Sequence, residues 1–151
     1  KGLESSARFA FAKDLALSLG HTYLDARNND ALTEIRRPRH SGHATLVAGF
    51  ADGKGEVRLG AKYNGAMHDE TFRLPFFTEQ RVKLDDYWLL SLAGSYKVAP
   101  QVELYGRVEN LLDETYQEVY GFASAPLAAY AGVKISLGGV KPSLTEKAGG
   151  K

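Results

Sequence analysis

The stretch "RVENLLDETYQEVYGF", Arg107 to Phe122, puts Glu109, Asp113, Glu114 and Glu118 into one short segment. Two carboxyl groups held across a cleft can break a glycosidic bond, one as acid and one as base or nucleophile. Asp113 and Glu114 are adjacent, however, and neighbouring acids in a turn do not straddle a substrate. His40 and His43 in "RHSGH" form a second candidate, because two imidazoles at that spacing can approach one metal ion. A metal site needs further ligands and a supporting shell, and the remaining histidines, His21 and His68, are remote in sequence. Nucleophilic chemistry would need an activated serine, threonine or lysine beside a base. No G-x-S-x-G elbow occurs, and the serines fall in alternating segments or near the C-terminus. The residue types therefore imply no catalytic residue, no metal and no cofactor.

The elements that carry these residues follow a period of two. In "EVRLGAKYNG", Val57, Leu59, Ala61 and Tyr63 share one face, and Glu56, Arg58, Lys62 and Asn64 the other. In "QVELYGRVEN", Val102, Leu104 and Val108 oppose Glu103, Tyr105, Arg107 and Glu109. "LALSLGHTYLDA" and "AAYAGVKISL" alternate likewise, and further strands are expected near 3–12, 42–51 and 85–97. The sum is about seven strands in an all-β, antiparallel up-and-down meander. Short connections are expected at 12–14, 51–55 and 97–100, where Asp, Gly and Pro supply turn geometry. Long polar ones are expected at 27–41, 67–83 and 111–125. Within Arg107–Phe122, Asn110 and Asp113 are expected to close a strand end through bonds to nearby backbone N–H groups.

Composition limits the function classes. With 19 basic and 18 acidic residues in 151, the net charge is +1, which offers no field for nucleic acid. The absence of cysteine removes disulfides, thiol catalysis and thiolate metal sites. No apolar run approaches the ~20 residues of a membrane-spanning helix, but barrel strands need only about 9–11. One face rich in Leu, Val, Ala, Phe and Tyr suits lipid, with Tyr23, Tyr63, Trp88 and Tyr96 near strand ends as aromatic girdles. The other face carries Glu4, Arg8, Arg58, Lys62, Glu103, Arg107 and Lys134, which suits a hydrated lumen. The alternative is a soluble or surface-exposed β-sheet binding module without a transport role, whose sheet turns one face to solvent. Seven strands alone would leave two open edges, so a part of a larger closed sheet is expected. Residues 138–151, "GGVKPSLTEKAGGK", lose the alternation and are expected to form a flexible C-terminal tail.

In their order along the chain, these segments resemble the C-terminal part of the barrel of TonB-dependent outer-membrane receptors, the transporters of siderophores, haem and cobalamin. The resemblance rests on "KGLE" (1–4), "HTYLDA" (21–26), "RRPRHSGHATL" (36–46), "DDYWLLSLAGSYKV" (85–98), "RVENLLDETYQEVYGF" and "AAYAGVKISL". It covers 1–137, which would be a partial TonB-dependent receptor-like transmembrane β-barrel, the last seven strands of a 22-stranded one. Two positions depart from the family pattern: Pro126-Leu127 stands where a Gly-Arg pair is common, and Leu137 where a terminal aromatic is usual.

The resemblance implies the bacterial outer membrane as location and its lipid as one partner. The remainder of the barrel and the plug domain would be others, with TonB reached only through the family's N-terminal part. Nothing in these residues matches that part, so no energised transport is expected from this segment alone. The tight turns would face the periplasm and the long loops the outside. An iron chelate of the siderophore type, haem or cobalamin would be the ligand, met by outer-loop residues. Arg36, Arg37, Arg39, His68, Arg73, Phe76, Phe77 and Tyr120 are the candidates implied.

Overall fold

A computed structural model describes residues 1–27, 32–73 and 78–137 of the chain. Nine strands follow one another without a helix among the described residues: β1 (Gly2–Ala12), β2 (Leu15–Leu24), β3 (His40–Phe50), β4 (Gly55–Asn64), β5 (Met67–Arg73), β6 (Thr78–Leu84), β7 (Tyr87–Ala99), β8 (Val102–Glu109) and β9 (Ala128–Ile135). Seven of them form one antiparallel sheet in the order β1-β2-β3-β4-β7-β8-β9, and β5 pairs with β6. The expected meander is present, with strands near every predicted position. The proposed tail, 138–151, lies outside the described residues.

The long polar connection expected at 67–83 is a correction. Residues 67–73 and 78–84 are paired strands, from Met67 opposite Leu84 to Arg73 opposite Thr78. The β4–β7 ladder ends with Asn64 opposite Tyr87, so the pairing frame is unchanged across the break at 65–66 and 85–86. β5 and β6 are thus an outward continuation of the β4–β7 hairpin. Their alternation is hidden because Asp69, Glu70, Glu79, Arg81 and Lys83 place charge on both faces.

Tight connections close β1 to β2, β3 to β4 and β7 to β8 at one end of the sheet. Ala51, Asp52 and Gly53 all take left-handed φ in the β3–β4 turn, and Lys54 N–H closes it on the Ala51 carbonyl at 3.1 Å. Register shifts at Ala10/Ala12 and Lys97/Ala99 lie at the same end, as bulges do at sheet rims. The long connections gather at the opposite end.

Register aligns the two faces across all seven strands. Leu17, Leu46, Leu59, Leu92 and Val108 stand in one cross-strand row. The same face bears an aromatic row at each end. Phe50 stacks on Tyr96 at 5.9 Å near the tight turns, and Tyr63 meets Trp88 at 4.8 Å near the long connections. From Gly55, opposite Tyr96, to Tyr63, opposite Trp88, β4 runs about 26 Å at ~3.3 Å per residue. Tilted by about 40° this spans about 20 Å, close to the ~25 Å apolar band of membrane barrels. The other face carries Glu56, Arg58 and Lys62 beside Glu103 and Arg107, with ion pairs Arg58–Glu56 at 2.9 Å and Arg107–Glu109 at 3.5 Å. Arg107 also lies 4.5 Å above the Tyr130 ring.

This sheet is a single layer. Among the described residues no second layer covers the apolar face: Val57 is 39%, Leu59 42% and Leu104 44% exposed. Among the described residues the buried side chains are Met67, Leu84, Tyr87, Asp69 and Asn110, all at the long-connection end.

Candidate functional site

The long connections converge over the end of the polar face, and Asp69 is the point where they meet. Its side chain is fully buried. Oδ1 accepts from Arg36 Nε at 2.8 Å and from its neighbour Glu70 N–H at 2.8 Å, while Oδ2 accepts from Tyr120 N–H at 2.7 Å. One carboxylate on β5 thereby fastens the β2–β3 connection on one side and the β8–β9 connection on the other. Arg36 adds a backbone bond, its N–H donating to the His68 carbonyl at 2.7 Å, and it holds left-handed φ to do so. Arg81 ties the β2–β3 connection a second time, donating to the Thr33 carbonyl.

Burial pushes the Asp69 carboxyl up, since a charge out of water is costly. The Tyr120 and Glu70 N–H donors and the Arg36 guanidinium more than offset this and hold it below its ordinary value. The bridge is therefore a charged one at neutral pH. Glu70 goes the other way: a hydrogen bond shared with Glu79, burial and that neighbour's charge raise its pKa, against the pull of Arg81.

A second knot lies beside the first. Tyr87 Oη donates to Glu118 at 2.9 Å, its ring meets Tyr116 at 4.4 Å, and Lys62 Nζ reaches Glu118 at 3.8 Å. Asn110 begins the β8–β9 connection with left-handed φ. Its Oδ1 accepts from Glu114 N–H at 2.9 Å, and its Nδ2 donates to the Glu114 and Ala125 carbonyls at 2.9 and 3.2 Å. Asp113 accepts from Leu127 N–H at 2.9 Å. The strand-end role expected for Asn110 and Asp113 is borne out; of the acids of this segment, Asp113 and Glu118 hold the loop, and Glu109 pairs with Arg107 within β8. Beneath the loop, the polar face forms a depression of about 400 Å³ lined by His43, Lys62, Ser91, Glu109, Asn110 and Tyr116, among others.

The eight implied ligand contacts separate into groups. Arg36, His68 and Tyr120 are brought together around Asp69, with the Tyr120 ring left 46% exposed. Arg37 and Arg39 are exposed on the β2–β3 connection. Arg73 ends β5. Phe76 and Phe77 lie outside the described residues. Sequence reasoning missed Asp69, the centre of the cluster, and Tyr87, and it named Lys62 and Glu118 without joining them. The available signal for Asp69 was its place two residues after Met67 in a strand, but an acid in a polar stretch does not announce burial.

The histidine pair weighed and set aside in the sequence does not come together in the fold. Three residues apart in an extended strand, His40 and His43 point to opposite faces. His43 lies over Gly20 on the polar face, where a Cβ would run into its ring. His40 instead meets His21, treated in the sequence as remote, with Nδ1 3.2 Å from His21 Nε2. Among the described residues no group of three or more His, Cys, Asp or Glu is gathered as a metal site.

The fold defines a class: an antiparallel meander of the kind that builds β-barrel walls, with one apolar face, one polar face and the long connections at one end. No protein-family model matches the chain. Solved structures with this fold include the Pseudomonas aeruginosa pyoverdine receptor FpvA bound to pyoverdine, at 20% identity and TM-score 0.77 over 90% of this chain and 21% of that one. The ferric enterobactin receptor PfeA of the same species matches at 20% identity and TM-score 0.70, over 89% of this chain and 22% of that one. The E. coli ferric-catecholate import receptor Fiu matches at 19% and TM-score 0.69, over 89% and 20%. The chain thus spans about a fifth of the length of each of these receptors, and what it shares with them is the fold of the barrel wall.

Proposed function

We propose that the chain is a C-terminal wall segment of an outer-membrane TonB-dependent receptor, with the apolar face against lipid and the long connections outside. One observation carries the reading: a seven-strand sheet leaves a continuous apolar face bounded by two aromatic rows uncovered, while its other face is charged. In water such a face would be covered by a second layer. Among the described residues both edges, β1 and β9, stay open, which fits closure by further strands of the same barrel. The polar face would then surround a plug domain, and TonB would act through that part and not through this segment.

The ligand proposed is a ferric chelate of the siderophore type, since the three similar receptors are named for pyoverdine, enterobactin and catecholate chelates. Haem and cobalamin are the alternatives within this reading. Contacts would come from the exposed Tyr120 ring, Arg37 and Arg39, with Arg36 and His68 shaping the rim; Arg73, Phe76 and Phe77 are proposed with them, as residues that end β5 or follow it in sequence. The segment does no bond-breaking here.

Two experiments test this. The purified chain should aggregate in detergent-free buffer and become a β-rich, monodisperse species in micelles. A cooperative, detergent-free monomer would support a soluble binding module instead. Cells making the complete receptor that contains this segment should import a radiolabelled ferric siderophore in a TonB-dependent way. Import of haem or cobalamin alone would move the substrate, and no import at all would remove the transport role.

A further inference from the structure

On the apolar face near its outer aromatic row, the pair His21 and His40 is chemically out of place among Leu19, Tyr23, Ala44 and Tyr63. Register puts His21 opposite Gly42 and His40 opposite Tyr23, so the imidazoles are diagonal neighbours across β2 and β3. The nitrogens that face each other, His21 Nε2 and His40 Nδ1, are 3.2 Å apart. The ring centroids are 5.4 Å apart with planes 21° from parallel. These two distances together place both nitrogens between the rings, each aimed at the other. Tyr23 packs against His40 at 5.2 Å, and both histidines are exposed.

We infer that this pair is a two-point chelate for a borderline divalent cation of the Zn²⁺ class. Two imidazoles on one Zn²⁺ at 2.0–2.1 Å stand about 3.3 Å apart at a tetrahedral angle and about 2.9 Å apart at a right angle. The observed separation falls between these limits. A hydrogen bond across this separation puts the N–H of one ring, in one of its tautomers, between the two. Moving that proton to the far nitrogen of the same ring, the alternative neutral tautomer, leaves two lone pairs facing each other without net proton release. A turn of roughly 40° in each ring then points both at a common ion 2.0–2.1 Å away. Imidazole selects Zn²⁺, Cu²⁺ or Ni²⁺ over Mg²⁺ or Ca²⁺, which prefer oxygen. The remaining positions are open to water or to a phosphate oxygen of a neighbouring headgroup. Only that last option depends on the membrane reading; the chelate itself does not.

The test is a calorimetric titration of Zn²⁺ into the full chain in zwitterionic micelles near neutral pH, with the four imidazoles followed by NMR. One saturable equivalent is expected, weakened at least tenfold by His21→Ala and by His40→Ala. His43→Ala, on the opposite face, and His68→Ala should leave it unchanged. Zn²⁺ should shift the His21 and His40 ring signals and leave those of His43 and His68 in place. Mg²⁺ should not compete. Absence of saturable Zn²⁺ binding, equal loss in His43→Ala, or unmoved His21 and His40 signals in a folded sample would each overturn the assignment.

Discussion

Leu46, Leu59 and Leu92 sit side by side on adjacent strands, and each keeps more than a third of its surface exposed. Met67, Leu84 and Tyr87, at the end with the long connections, are 4–5% exposed. Among the described residues the wall has no interior of its own: its strands pair with one another between the open edges of β1 and β9, but its apolar side chains stay uncovered. The loop cluster is the reverse. It owns the buried side chains and fixes them with directional bonds to Asp69, Asn110 and Glu118. A wall of this kind draws its stability from its surroundings, whereas the loop cluster carries its own organisation and can hold a fixed shape above the polar face.

The contrast is most strongly tested by charge on the apolar face. Leu59→Arg, at the centre of β4, should cost about 2–4 kcal/mol of folding into lipid vesicles, the depth-dependent cost of a midplane cation. Arg58→Ala, one residue away on the polar face, should stay within about 0.5 kcal/mol. Denaturant titration of the vesicle-inserted protein measures both, and equal costs would erase the distinction between the faces.

A smaller and local effect is expected at the rim. Asp69→Ala leaves the Tyr120 and Glu70 N–H groups without their acceptor, and an unsatisfied buried donor costs about 1–3 kcal/mol. Amide exchange at Tyr120 and Glu70 should accelerate while the wall strands keep their protection. The same bridge has a defined acid limit. Because the folded-state pKa of Asp69 lies below the ordinary 3.8, its contribution is fully present above that value and is lost as pH falls through the lowered one. Protection at Tyr120 should therefore be unaffected by carboxylate titration from pH 7 to 5 and be lost only below about pH 4.

Smaller again is Asn110→Ala, which removes the bonds to Glu114 and Ala125 from a residue in left-handed φ. A loss of about 1 kcal/mol is expected, seen as loosening of the β8–β9 connection.

How much of this was legible in the sequence follows from the same contrast. Each wall strand has one apolar and one polar face, so Val57, Leu59 and Ala61 against Glu56, Arg58 and Lys62 disclose a strand without any knowledge of its neighbours. β5 and β6 lie beyond the apolar band and lack that constraint, so their polar composition read as a loop. The pairing of His21 with His40 depends on the register between β2 and β3 across a long connection, which no local pattern determines. Asp69 was hidden for a related reason, since its partners Arg36 and Tyr120 come from two other connections. Asn110 was readable because one of its partners, Glu114, is close in sequence and because the alternation of β8 stops there, whereas its bond to Ala125 and that of Asp113 to Leu127 span the whole connection.

The central claim is that the apolar face meets lipid, and the single tryptophan reports on it directly. Trp88 lies in the outer aromatic row and is 53% exposed. With the chain inserted in vesicles, its fluorescence should be quenched strongly by lipids brominated near the headgroup and weakly by lipids brominated near the chain end. A Trp88 that is unquenched by any brominated lipid, in a protein that remains folded, would contradict the account.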